Sequence, residues 1–93
     1  MKEVKLFVLD GCPYCRQAFE ALEDLKAEDA RYGEVPISVY EENKDPEVVA
    51  KHDYYYAPTM YIGENKLYEA HPGENYAECR AEVKKVLDRA MQD

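Results

Sequence analysis

The chain has little of what would mark a membrane, nucleic-acid or disulfide-framework protein. No apolar run in it approaches the roughly 18 residues that cross a bilayer. Basic side chains are scarce, 12 against 20 acidic ones, for a net charge of −8. A surface this acidic is repelled by phosphate backbones and anionic membranes, so neither nucleic acid nor membrane is an expected partner. Glycine (4) and proline (5) are few beside 46% hydrophobic residues, which excludes collagen-like repeats and wholesale disorder. Cysteine numbers three, too few and too odd for a disulfide scaffold. Met1-Lys2-Glu3 leads into a strand-like segment without the apolar stretch and cleavage site of a signal peptide, so the expected compartment is the cytoplasm.

What is present is enough for one small domain, residues 1–93, expected as a monomer. Val4-Lys5-Leu6-Phe7-Val8-Leu9 is nearly all apolar and reads as a strand buried on both faces. Asp10-Gly11 ends it, and Cys12-Pro13 opens a helix, because proline suits the first helical position, where its missing N–H costs nothing. Ala18, Leu22 and Leu25 recur at helical spacing with Phe19 beside them, and carry this helix to about residue 28. Ala30 to Pro36 is a connection.

Ile37 to Tyr40 alternates and predicts a second strand. Pro46 to His52 is a short helix with Asp45 as its cap. Thr59 to Ile62 predicts a third strand, Gly63-Glu64-Asn65 a hairpin turn, and the more polar Lys66 to Ala70 a fourth strand at the sheet edge. Tyr76, Cys79, Val83, Val86 and Ala90 share one stripe of a last helix. The order β-α-β-α-β-β-α makes an α/β domain: a four-stranded mixed sheet flanked by three helices.

Chemistry concentrates at Cys12-Pro13-Tyr14-Cys15, where a central strand hands over to a helix. Residues three apart share a helix face, so the two sulfurs can meet. The first turn has unpaired N–H groups and the positive end of the helix dipole, which favour a thiolate, most strongly at the first cysteine. Cys12 is the expected nucleophile and Cys15 the residue that resolves the mixed disulfide. Asp10 opposes a thiolate here and Arg16 favours it. A bland reading has both cysteines merely buried. A zinc site would have to draw on Cys79, His52 and His71, none of which has metal-ligand spacing, so no metal is expected. Cys79 itself falls on the apolar stripe and reads as a small hydrophobe. His52 and His71 read as structural or surface residues, Glu41-Glu42 and Glu23-Asp24 as solvated charge, and Tyr54-Tyr55-Tyr56 as part core, part rim.

With these residues in view, the chain resembles the dithiol glutaredoxins, within the thioredoxin-like superfamily. The likeness rests on Cys-Pro-Tyr-Cys at 12–15, on Ala57-Pro58-Thr59 before a strand, and on Ile62-Gly63 before a hairpin. The resemblance implies a thioredoxin-like fold and a redox-active Cys12–Cys15 disulfide. It also implies a cis peptide before Pro58, with the Ala57 backbone pairing an incoming peptide or glutathione. Tyr14, Ala57, Pro58, Thr59 and Gly73 become the expected substrate-binding residues.

The implied activity is reduction of protein or small-molecule disulfides. No cofactor is tightly bound; glutathione or a flavoprotein disulfide reductase returns the electrons. Two features depart from the family. Leu9 stands where many glutaredoxins have Lys or Arg, and Pro72-Gly73 stands where many have Gly-Gly, so two contacts to glutathione carboxylates are weakened. Glu74 and the acidic middle segment add repulsion. Thioredoxin proper fits less well, for the chain has no Trp. Two alternatives stay open: a glutathione-independent reductase, and a redox-sensing or metal-clipped binding module.

Overall fold

β1 (Val4–Val8) is buried along almost its whole length and lies in the middle of the sheet. It is one residue shorter than its apolar run, and Leu9 turns out toward solvent. The computed structural model describes residues 1–92. β1 leads into α1 (Pro13–Glu28), then a 3-10 turn at Ala30–Glu34, β2 (Ile37–Glu41), α2 (Pro46–Val49), β3 (Thr59–Ile62), β4 (Asn65–Glu69) and α3 (Tyr76–Met91). The strands stand in the order β2-β1-β3-β4. β1 and β2 are parallel, with Leu6 opposite Val39; β3 runs antiparallel to β1 and to β4.

The two faces of β1 build two cores. Val4, Leu6 and Val8 point toward α1 and α3, which pack on each other, and join Ala18, Ala21, Leu25, Met60, Val83 and Val86 in one cluster. Phe7 points the other way. It is fully buried among aromatic rings: Tyr40 at 5.5 Å, His52 at 4.7 Å, Tyr54 at 5.3 Å and Tyr61 at 5.8 Å between centroids.

The element order is the one expected, and β4 is an edge strand as its polarity implies. Four details differ. α2 spans only four residues and Asp45 does not cap it with its side chain; the carboxylate instead accepts the Glu41 N–H at 3.0 Å. The connection after α1 contains the 3-10 turn, started by Asp29, whose side chain accepts from the Arg31 N–H. Asn65 already belongs to β4, so the hairpin turn is Gly63-Glu64. The buried stripe of α1 runs through Cys15, Ala18, Ala21 and Leu25, leaving Leu22 half-buried and Phe19 40% exposed. Small residues at 18 and 21 let α1 lie close to the sheet, and that rotation carries Phe19 off the core.

Candidate active site

The chain leaves β1 through Leu9-Asp10-Gly11, and Gly11 takes a φ of +80° that side-chain-bearing residues rarely adopt. That bend closes a turn in which the Cys12 N–H donates to the Leu9 carbonyl at 3.2 Å. Cys12 is the extended N-cap of α1, Pro13 sits at its start, and the Arg16 N–H makes the first helical bond to the Cys12 carbonyl at 3.1 Å. Cys12 is partly exposed, whereas Cys15 is buried.

The two thiols are near enough for Cys12 to act on Cys15, and their environments differ. Cys12 Sγ lies 3.6 Å from the Ala57 carbonyl, to which its thiol donates. Cys15 Sγ accepts the Leu9 N–H at 3.5 Å. Burial pushes the Cys15 thiol from 9.0 up to about 12. The Leu9 N–H opposes that rise; the hydrogen bond shared with Cys12, charge on Cys12 and the Glu42 carboxylate add to it. Cys15 therefore holds its proton at neutral pH.

The Ala57–Pro58 bond is cis, and Pro58 and Thr59, which follow the carbonyl that faces Cys12, are fully buried. The Thr59 hydroxyl donates to the Tyr56 carbonyl at 2.6 Å. The approach to Ala57 is fixed from β4: the Glu69 carboxylate accepts the Tyr55 and Tyr56 N–H groups at 2.6 and 2.8 Å and pairs with Lys66 at 2.7 Å. Nothing in the local sequence signals Glu69; it acts 13 and 14 residues away through the hairpin. The three tyrosines divide as expected. Tyr54 packs on Phe7 and donates to Glu42 at 2.9 Å, while Tyr55 is 87% exposed.

Tyr14 and Gly73, both expected at the substrate surface, meet each other. The Gly73 N–H donates to the Tyr14 hydroxyl at 2.8 Å. One turn further on, the Gln17 amide donates to the Glu74 carbonyl at 3.3 Å, so the segment before α3 is tied to α1. At the start of α3, Asn75 accepts the Glu78 N–H and the Glu78 side chain accepts the Asn75 N–H, a complete capping box. Glu74, expected to repel an anionic tripeptide, does not lie open to solvent. Its carboxylate is buried, and the Tyr68 hydroxyl donates to it. Tyr68 also reaches the fully buried Cys79 at 3.5 Å.

Glu41 and Glu42 likewise are ordered rather than merely solvated. Glu41 accepts N–H groups from Asp10, Asn43 and Lys44. His52 packs on Phe7 and Tyr61, and His71 stays on the surface near Glu78, as structural and surface roles require. Among the described residues no three His, Cys, Asp or Glu side chains converge as a metal set, and no helix is long and apolar enough to cross a membrane.

This dithiol corner lies wholly within residues 6–82, which match the sequence model of the glutathione S-transferase N-terminal domain. The chain belongs to that family. Its fold is thioredoxin-like, as its structural neighbours also show. Thioredoxin 1 from the thermophilic eubacterium Thermosipho africanus superposes with a TM-score of 0.58 at 15% identity, covering 97% of this chain and 99% of that one. A malarial protein superposes with a TM-score of 0.58 at 15% identity, covering 89% and 93%. At that identity the likeness carries the fold alone. No curated protein matches the chain significantly.

One consequence of this family member's buried acids is a sensitivity to alkali. An acid that holds its proton more tightly folded than unfolded stabilises the fold fully below its unfolded pKa, and that contribution vanishes as pH rises through the folded one. For Cys15 the window runs from about 9 to about 12. Burial raises Tyr68 and Cys79 in the same direction. The melting temperature is expected to fall steadily from pH 9 upward, and Cys15→Ala to flatten the fall. Thermal unfolding followed by circular dichroism between pH 8 and 11 checks both.

Proposed function

We propose that the protein is a dithiol–disulfide oxidoreductase that reduces protein or small-molecule disulfides through Cys12 and Cys15. The observation supporting this most is the asymmetry of the paired thiols: an accessible Cys12 at a helix start and a buried, proton-retaining Cys15 three residues on. In the first step the Cys12 thiolate attacks one substrate sulfur. The substrate S–S bond breaks, a Cys12–substrate disulfide forms, and the other half leaves as a thiolate that takes a proton from water.

Bonding Cys12 to substrate removes its charge and its hydrogen bond from Cys15. Two of the smaller causes that hold the Cys15 proton then disappear; burial, the largest, and Glu42 still favour the thiol, and the Leu9 N–H favours the anion. Cys15 gives its proton to water and attacks Cys12 Sγ, breaking the Cys12–substrate bond. The substrate half leaves as a thiolate, and the chain is left with a Cys12–Cys15 disulfide. Cys15 is thus armed by the step it must follow. An external reductant returns two electrons. Its partners are disulfide-bearing proteins, its setting the reducing cytoplasm, and it acts as a monomer.

The name of the family brings glutathione, but the residues present do not fit that tripeptide well. The Gly73 N–H that would meet one carboxylate is taken by Tyr14, the first turn of α3 is closed by its capping box, and Leu9 supplies no charge. These features favour the second reading, in which a flavoprotein reductase supplies the electrons. Insulin reduction is expected to run with NADPH and thioredoxin reductase, and poorly with glutathione and its reductase. Tyr14→Phe frees one N–H for a carboxylate. A charge-assisted bond is worth about 1.5–3 kcal/mol, so the KM for glutathione should fall by at least about tenfold. Efficient reduction by glutathione in the wild type would reverse the choice of donor, and no reduction with either donor would end the proposal.

A further inference from the structure

Beside Cys12 the surface opens into a groove of about 390 Å³ whose lining includes both cysteines and not Ala57. That is within the range of pockets that seat small ligands or a large side chain. Its walls are apolar: Val8 and Cys15 lie deep, with Leu9 and Phe19 above them. Leu9 and Phe19 are 39% and 40% exposed, two of only six large hydrophobic residues so exposed in the described chain. Isolated exposed apolar residues need no explanation, but two that flank the same groove as a reactive sulfur form a patch.

The rim is charged unevenly. Asp10 and Glu41 contribute two carboxylates and Arg16 one guanidinium. Asp10 makes no ion pair among the described residues. Glu41 is held as an anion against its partial burial by three backbone N–H groups and by Lys44. A net charge of −8 extends the same field over the whole molecule. That field disfavours a second copy of this chain and any anionic tripeptide as occupant.

We infer that this groove is a specificity site for the protein substrate: it takes an apolar side chain adjacent to the target cysteine and favours a basic residue beyond it. This inference rests on the oxidoreductase reading above and adds its substrate class. Cys12 contacts the Ala57 carbonyl and also lines the groove, so a segment bonded to Cys12 brings a neighbouring side chain within reach of Leu9 and Phe19. Covering those side chains removes apolar surface from water, which favours the bound state. The carboxylates at the rim attract a lysine or arginine and repel an aspartate, more weakly as salt rises.

Short peptides with a single cysteine, capped as the mixed disulfide with 5-thio-2-nitrobenzoate, test this. The cysteine is flanked on both sides by Leu then Lys, by serines, or by aspartates. Attack of the Cys12 thiolate on the peptide sulfur forms a Cys12–peptide disulfide and expels the coloured thionitrobenzoate, so stopped-flow absorbance gives the rate constant directly. The Leu-Lys peptide is expected to react at least ten times faster than the aspartate peptide. Phe19→Ser should narrow the gap between the Leu-Lys and serine peptides. Asp10→Lys should narrow the gap between the Leu-Lys and aspartate peptides; both changes lie on exposed side chains outside the core. Equal rates for the three peptides in the wild type, within about twofold, would overturn the groove while leaving the dithiol chemistry standing. A wild type inert toward all three, and toward 2-hydroxyethyl disulfide, would remove both.

Discussion

Cys12→Ser reduces no disulfide above the rate of uncatalysed exchange, whereas Cys15→Ser stops the reaction half-way. The two outcomes differ because the two sulfurs do. Serine at 12 removes the only cysteine sulfur with access to solvent, since Cys15 and Cys79 are both buried. A hydroxyl there is not ionised at neutral pH and cannot replace it. Serine at 15 leaves that first attack intact but removes the group that would free the product. A covalent adduct between Cys12 and substrate should therefore accumulate to nearly one per chain. Intact-mass measurement under non-reducing conditions reads the adduct, and an insulin assay reads the turnover. Turnover by Cys12→Ser at the wild-type rate would place the chemistry elsewhere.

Phe7→Ala is the substitution expected to cost the most stability. Phe7 has no solvent exposure and four ring neighbours within 5.8 Å. Truncating a buried phenylalanine costs about 3–5 kcal/mol in lost transfer energy and cavity, against about 5–15 kcal/mol of total stability for a typical domain. For a domain of this size that is a fall in melting temperature of at least ~12 °C. Phe7→Leu keeps most of the volume and should cost less than half as much, losing chiefly the aromatic geometry. Chemical denaturation of the three proteins checks the order. The damage should also reach the site, because Phe7 supports Tyr54, which enters the segment leading to Ala57.

The order of elements, the central placement of β1 and the dithiol at the head of α1 were legible in the sequence, because each depends on local pattern: an apolar run, a proline after a cysteine, a three-residue spacing. What was not legible depends on distance through space. The spacing of Ala18, Leu22 and Leu25 allowed two neighbouring stripes on α1, and only the closeness of α1 to the sheet selects the one with Ala21. That choice puts Phe19 at the rim, where sequence reasoning had no ground to place it. Glu74 reads as one more acid in an acidic segment; the tyrosine that accommodates it lies six residues earlier, across a turn. The Tyr14–Gly73 contact joins positions 59 residues apart. Each position was recognisable, but not that they would satisfy one another.

Glu69 joins two parts of the molecule that otherwise look independent. It ends β4, an outer strand of the sheet, and the same carboxylate holds the amides of Tyr55 and Tyr56. One carboxylate thus straps the hairpin to the two residues before the peptide link that faces the Cys12 sulfur. Neutralising that single side chain, as Glu69→Gln does, would slacken the outer strand's hold on the chain in front of Cys12.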